Sequence, residues 1–183
     1  MIDPAPGYRR ASVWLAALGL PILLALASTT HAAPPAPVQS PIQSFNIDFA
    51  VPRPVEETTA LAIQRDYSQA WQSLVAALEE NRAEMLDENF TGGARQQWQD
   101  AIHAQQKNGL SRRIVDHGHQ VRVRFYSLDG SALEAIDTAD LEIQYREGSK
   151  LLSSERIQAH YLLLLTPAES SWKVRILQEI PPS

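Results

Sequence analysis

Asp116-His117-Gly118-His119 places two imidazoles two residues apart. On an extended strand, side chains at that spacing point the same way. Both rings would then face one side, as a divalent-metal site or a proton-transfer site requires. Val115, Val121, Val123 and Phe125 share their parity, which puts His117 and His119 in the row that should face a core. A metal site needs a third ligand. Asp137 and Glu155 are the carboxylates of inward parity and His103 is the histidine of the preceding helix, yet no standard ligand spacing joins them. The reading is therefore of no metal and no cofactor. Gly118 offers another outcome, because a glycine inside a strand often marks a bulge, which would turn one histidine outward.

Asp137, between Ala135 and Ala139, is the second candidate. A buried carboxylate is costly unless paired, and an unpaired one is what acid–base sites exploit. A hydrogen bond to Thr138, to Tyr67 or to a helix end would make it structural instead. His117, His119 and Asp137 are thus the candidate catalytic residues. Tyr67, Trp71, Trp98 and Tyr145 are the candidate ligand-binding residues; the first three also suit a core stripe. No glycine-rich phosphate loop or nucleophile motif is present.

The elements that must position these groups can be read from periodicity. Strands are predicted at 112–128, 133–146, 151–166 and 171–180, a four-stranded antiparallel meander. On the first strand the odd residues point inward. On the second they run Leu133, Ala135, Asp137, Ala139, Leu141 and Ile143. On the last, Trp172, Val174, Ile176 and Ile180 point inward. A three-residue loop, Asp129-Gly130-Ser131, would set His119 opposite Leu141, His117 opposite Ile143 and Val123 opposite Asp137. His119 and Asp137 would then lie about 13 Å apart at roughly 3.3 Å per residue, too far for a hydrogen bond. The stretch 162–165 is apolar on both faces and calls for a covering layer or a homodimer contact.

Three helices precede the sheet. The first, at 55–80, carries Ala60, Ile63, Tyr67, Ala70, Trp71, Leu74 and Leu78 at helical spacing. Asn81 followed by Glu84 reads as a capping box that opens a second, short helix. Thr91-Gly92-Gly93 breaks the chain, and a third helix covers 94–107, ending at Asn108-Gly109. The fold class is α+β.

The chain has 183 residues, no cysteine and a net charge of −5. Disulfides, thiol nucleophiles and thiolate zinc are excluded, and an acidic chain without a basic block argues against nucleic acid as a partner. Nine of the twelve prolines precede residue 55, which leaves about 130 residues, enough for a single core. Arg9 and Arg10 precede an apolar run at 11–27 followed by small residues, the pattern of a signal peptide or of an uncleaved membrane anchor. Residues 1–32 are read as that segment, 33–54 as a proline-rich linker and 55–183 as the domain, exported to the periplasm or the cell exterior. The piece Phe45-Asn46-Ile47-Asp48-Phe49 alternates as an edge strand would, but the proline setting favours a tether.

Long helix, short helix, helix and a bent antiparallel meander together resemble the nuclear-transport-factor-2-like (NTF2-like) superfamily. The carrying residues are Tyr67-Ser68-Gln69-Ala70-Trp71, Ala77-Leu78-Glu79 with Asn81, Phe90-Thr91-Gly92, and Trp172-Lys173-Val174-Arg175-Ile176-Leu177. The likeness covers 55–180 and implies a cone, with three helices packed on a curved four-stranded sheet. Many members insert a hairpin before the third helix, for which Thr91–Gly93 leaves no room. The family's enzymes, ketosteroid-isomerase-like proteins and dehydratases among them, use an inward Asp or His as base and an inward Tyr or protonated carboxyl as oxyanion donor. No such set aligns here residue by residue. Members of the type IV secretion inner-membrane component family share the arrangement of apolar segment, linker and exported cone. The resulting expectation is an exported, non-catalytic domain that binds a protein partner or a small apolar ligand. The alternatives are a small isomerase, dehydratase or hydrolase, and a membrane-tethered assembly factor.

Overall fold

The computed structural model describes residues 41–181. The export segment at 1–32 and the linker up to residue 40 lie outside the described residues. Among the described residues no helix is long and apolar enough to cross a membrane.

Helix α1, Glu57–Glu80, buries Ile63, Tyr67, Ala70, Trp71, Leu74, Ala77 and Leu78 along one stripe because these positions recur at three and four residues. Asn81 ends it in the left-handed region at φ 56°. This overturns the capping-box expectation. The Asn81 amide is occupied elsewhere: its Nδ2 donates to the carbonyl of Leu110 at 2.8 Å, and its Oδ1 accepts from Gln105 Nε2 at 2.6 Å. Asparagine tolerates the left-handed conformation that a helix end needs. The following Ala83–Leu86 makes only a 3-10 turn, so two α-helices and a turn stand where three helices were expected. Helix α2, Gly92–Lys107, buries Ala94, Ile102 and Gln105.

Strands β3 (Leu110–Tyr126), β4 (Leu133–Glu147), β5 (Lys150–Pro167) and β6 (Trp172–Ile180) form the expected antiparallel meander. Two further strands join its edge. β1, Ile42–Asn46, runs parallel to β3 with Phe45 opposite Val121, and the two-residue β2, Val51–Pro52, continues along Phe125 and Tyr126. The tether reading of 45–49 is thereby corrected. The edge of β3 away from β4 offers donors that need partners, and the N–H of His119 finds one in the carbonyl of Pro41 at 2.9 Å.

On β4, Leu133, Ala135, Asp137, Ala139 and Leu141 are all buried, the parity expected of them. On β3 the inward row changes parity, from Ile114 to His119, Val121 and Val123. The change falls at an irregularity between Asp116 and Gly118. A bulge adds one residue and flips every side chain beyond it, which is why Ile114 rather than Val115 is buried. The same happens on β6, where the ladder shifts between the partners of Leu164 and Leu165. Val174 and Leu177 are buried, while Ile176, expected inward, is only half-buried. The interior between α1 and the sheet is filled by Tyr67, Trp71, Tyr161, Leu163 and their neighbours.

Candidate functional site

The candidate site is assembled by the β3 bulge and by the register of the first hairpin. The ladder closes at Tyr126 opposite Leu133, so the connection is six residues long rather than three. One irregularity, between Val123 and Phe125, then shifts the pairing so that His119 faces Ala139 and Val121 faces Asp137, while the other, between Asp116 and Gly118, lies beyond His119. His119 and Asp137 become diagonal neighbours, and His119 Nδ1 lies 2.7 Å from Asp137 Oδ2. The expected separation of about 13 Å is therefore wrong, because it rested on a short loop and an unbroken ladder.

Three other groups complete the network. The Tyr67 hydroxyl, nearly three turns into α1, donates to the same Oδ2 of Asp137 at 2.5 Å. On the far side of the ring, His119 Nε2 lies 3.1 Å from Asp116 Oδ2. The other oxygen of Asp116 accepts the N–H of Gly118 at 2.7 Å, a bond made within the bulge. Trp71 covers His119 edge to face, with ring centroids 4.4 Å apart. The order of contacts is Tyr67, Asp137, His119, Asp116.

The electrostatics follow from this geometry. Burial pulls the His119 imidazole towards its neutral form, but hydrogen bonds to Asp116 and Asp137 and their charges outweigh it and push the pKa up to about 9. At neutral pH both ring nitrogens therefore carry protons and the ring is a cation between two carboxyl groups. Burial, with the charge and hydrogen bond of Asp137, holds the Tyr67 hydroxyl protonated well above its ordinary range. Asp137 Oδ1 is buried without a hydrogen-bond partner.

Access decides what the network can do. Tyr67, His119 and Asp137 are wholly buried, and Asp116 is the member that reaches the surface, its side chain 18% exposed. Asp116 borders a groove of about 510 Å³ between α1 and the bulge, together with Trp71, Val75, Ala76, Pro41 and Gln43. An imidazolium sealed from solvent neither takes a proton from a substrate as a general base nor reaches one as an acid.

The remaining candidates lie apart from this set. His117 is turned out to solvent by the bulge, and its carbonyl accepts from Gln43 Nε2 at 2.8 Å. The two histidines thus do not share a face. Tyr145 is exposed near the β4–β5 turn, with the Arg112 guanidinium 5.4 Å over its ring. Trp98 is half-buried on α2, its Nε1 without a partner. Tyr67 and Trp71 therefore meet at the network, while Trp98 and Tyr145 do not join them. Among the described residues no three His, Asp or Glu side chains converge as metal ligands would. The role of Asp116 was missed, since an unbroken strand turns it away from the core. Gly118 was the signal that could have found it.

No family profile matches the sequence, and no curated protein matches it. Solved structures do. The intermembrane space region of chloroplast protein ARC6 superposes with a TM-score of 0.60 at 18% identity, covering 72% of this chain and all (100%) of that one. A putative dehydratase from the NTF2-like family of Streptomyces avermitilis gives 0.46 at 11% identity, covering 66% and 97%. An NTF2-like protein from Cytophaga hutchinsonii gives 0.42 at 17% identity, covering 64% and 98%. At these identities the likeness is one of fold alone. Two helices and a 3-10 turn packed on a mainly antiparallel sheet give the α+β class expected from the sequence.

Proposed function

We propose that this chain is an exported, non-catalytic binding domain. Its binding surface is the groove between α1 and the β3 bulge, which takes a small apolar ligand or an apolar side chain of a protein partner. The observation that carries this reading is the closure of the interior. The Tyr67, Asp137 and His119 side chains are hydrogen-bonded and sealed, while the accessible groove beside them has apolar walls in Trp71, Val75 and Ala76 and a volume within the usual range of ligand sites, about 300–1,000 Å³. The apolar run at 11–27 behind Arg9 and Arg10 supports export.

The experiment is amide NMR of the full chain titrated with two neutral probes, indole and hexanol. Saturable shifts confined to the groove, lost in Val75→Asp, support the reading. Shifts scattered over the surface, or none, reject it.

One observation favours a catalytic alternative. Asp116 stands on the groove wall while bonded to His119, so it links the groove to the buried ring. That reading requires turnover of a β-hydroxycarbonyl or an enolisable ketone, abolished by Asp116→Asn in a folded protein. A tethered assembly factor requires residues 1–32 to be retained, which N-terminal sequencing of the mature protein decides.

A further inference from the structure

The outer face of the sheet, opposite the packed helices, carries a second hollow of about 550 Å³. It crosses the sheet from Phe49 and Val51 beside β3 to Ile180 at the end of β6, with Ile136 on its floor. A smaller hollow of about 300 Å³, lined by Ser44, Asn46, Gln120 and Thr138, adjoins it at Arg122 and Ile136. The larger one contains two guanidiniums, Arg122 and Arg124. They are two residues apart on β3 and both are exposed.

Among the described residues Arg122 and Arg124 share the lack of a carboxylate partner with Arg112, Arg146 and Arg175, and what sets these two apart is that they stand together in one hollow. Arg53, Arg65, Arg82, Arg95, Arg113 and Arg156 each pair with a carboxylate. Among the described residues neither Arg122 nor Arg124 has an ion pair or a side-chain hydrogen bond. Glutamates and aspartates outnumber lysines and arginines in this chain by 21 to 16, so two unpaired cations side by side mark a place where an anion is absent from the protein's own set. Apart from His160 their surroundings in the hollow are apolar: Phe49 is 64% and Val51 61% exposed at the rim, where a solvated face would carry polar side chains. A guanidinium pair beside exposed hydrocarbon matches a ligand of two halves. The planar fork suits a carboxylate head, and the isoleucines, phenylalanine and valine suit an alkyl body.

We propose that this outer hollow binds a single-chain carboxylate amphiphile, its head between Arg122 and Arg124 and its chain along Ile136 and Ile180. The site lies on the opposite face of the sheet from the buried network and is independent of the groove beside α1.

The test is calorimetry and amide NMR of the full chain with four probes: decanoate below its micelle concentration, decyltrimethylammonium, decanol and acetate. The expected result is saturable binding of decanoate with shifts confined to the neighbourhood of Phe49, Arg122, Arg124, Ile136 and Ile180. Affinity falls about tenfold or more in the double variant R122Q/R124Q, as loss of charge-assisted hydrogen bonds implies. These two side chains are exposed, so the variant keeps its fold, and unchanged melting verifies that. Ile180→Ser, which leaves the arginines in place, also weakens decanoate. Equal binding of decyltrimethylammonium or decanol, or an unaltered affinity in R122Q/R124Q, overturns the charge assignment. Acetate binding as tightly as decanoate overturns the amphiphile. No decanoate binding, or shifts at the α1 groove instead, overturns the site.

Discussion

His119 Nδ1 sits 2.7 Å from Asp137 Oδ2, a contact between adjacent strands whose residues are not paired with each other. His119 faces Ala139 and Asp137 faces Val121, so the bond runs diagonally across the ladder. It therefore reports the register: a slip of one residue would carry the two groups to opposite faces. The same Oδ2 receives the Tyr67 hydroxyl from α1, so one oxygen joins two strands and the helix that covers them. A network of this kind costs desolvation and returns it only when every member is present.

The losses on removing its members are consequently not additive. Asp137→Asn takes the counter-charge from a buried imidazolium and is expected to cost on the order of 3 kcal/mol. In a cycle with His119→Leu, the double variant should lose less than the sum of the single losses. Urea denaturation measures all three. A loss under about 1 kcal/mol for Asp137→Asn would place the pair with weak surface contacts and discard the buried-cation description.

The same ring makes stability depend on alkali. Its folded pKa of about 9 exceeds the ordinary 6.5, so folding favours the protonated form. The contribution is complete below pH 6.5, and it is lost as pH rises through about 9. At about 1.4 kcal/mol per unit, the fall is on the order of 3 kcal/mol. Denaturation midpoints compared on either side of that window, for the native chain and for His119→Gln, isolate the effect because the variant should lack the slope. An NMR titration of the ring should show a midpoint near 9; one at or below 6.5 would contradict the network.

Tyr67→Phe keeps the ring and removes one donor from an aspartate whose other oxygen already lacks a partner. The expected cost is about 1–3 kcal/mol, the range for an unsatisfied buried polar group. Thermal melts at neutral pH check it, and a variant as stable as the native chain would show that the hydroxyl contributes nothing to the fold.

Most of the meander was legible in the residues because period-two alternation survives wherever the ladder is regular. Leu133 to Leu141 on β4 is such a stretch, and its buried row is the one that parity assigns. The failures fall where the ladder is interrupted. Asp116 and Gly118 on β3, and the shift opposite Leu164 and Leu165 on β6, each add a residue that no local pattern counts. Register also depends on loop length, and Asp129-Gly130 fits a short turn or a longer one equally well. The Asp137–Tyr67 bond was within reach of sequence reasoning, since both are inward polar groups needing a partner. The His119–Asp137 bond was not, because it requires both the six-residue connection and the irregularity between Val123 and Phe125. Asn81 misled for a different reason: the same side chain serves at either end of a helix, and contacts to Leu110 and Gln105 decide which.

Gly118 carries the Asp116 side of the arrangement, and its replacement is the sharpest test of it. Its φ of +130° lies where side chains are rarely accommodated, and an added Cβ would stand 2.0 Å from Gln43 Nε2. Two costs are thus superposed, a backbone one and a steric one. Gln43 is an exposed, flexible side chain, so Gln43→Ala removes the clash but leaves the φ. Gly118→Ala should lose about 1–3 kcal/mol from the backbone alone, and the double variant should recover little of it. The bulge also supplies the N–H that holds Asp116 against the ring. The ring's titration midpoint should therefore fall from about 9 in Gly118→Ala as that support loosens. A variant with native stability and an unchanged midpoint would mean that β3 reaches the same pairing without the bulge, and the parity switch that turns His117 outward would need another cause.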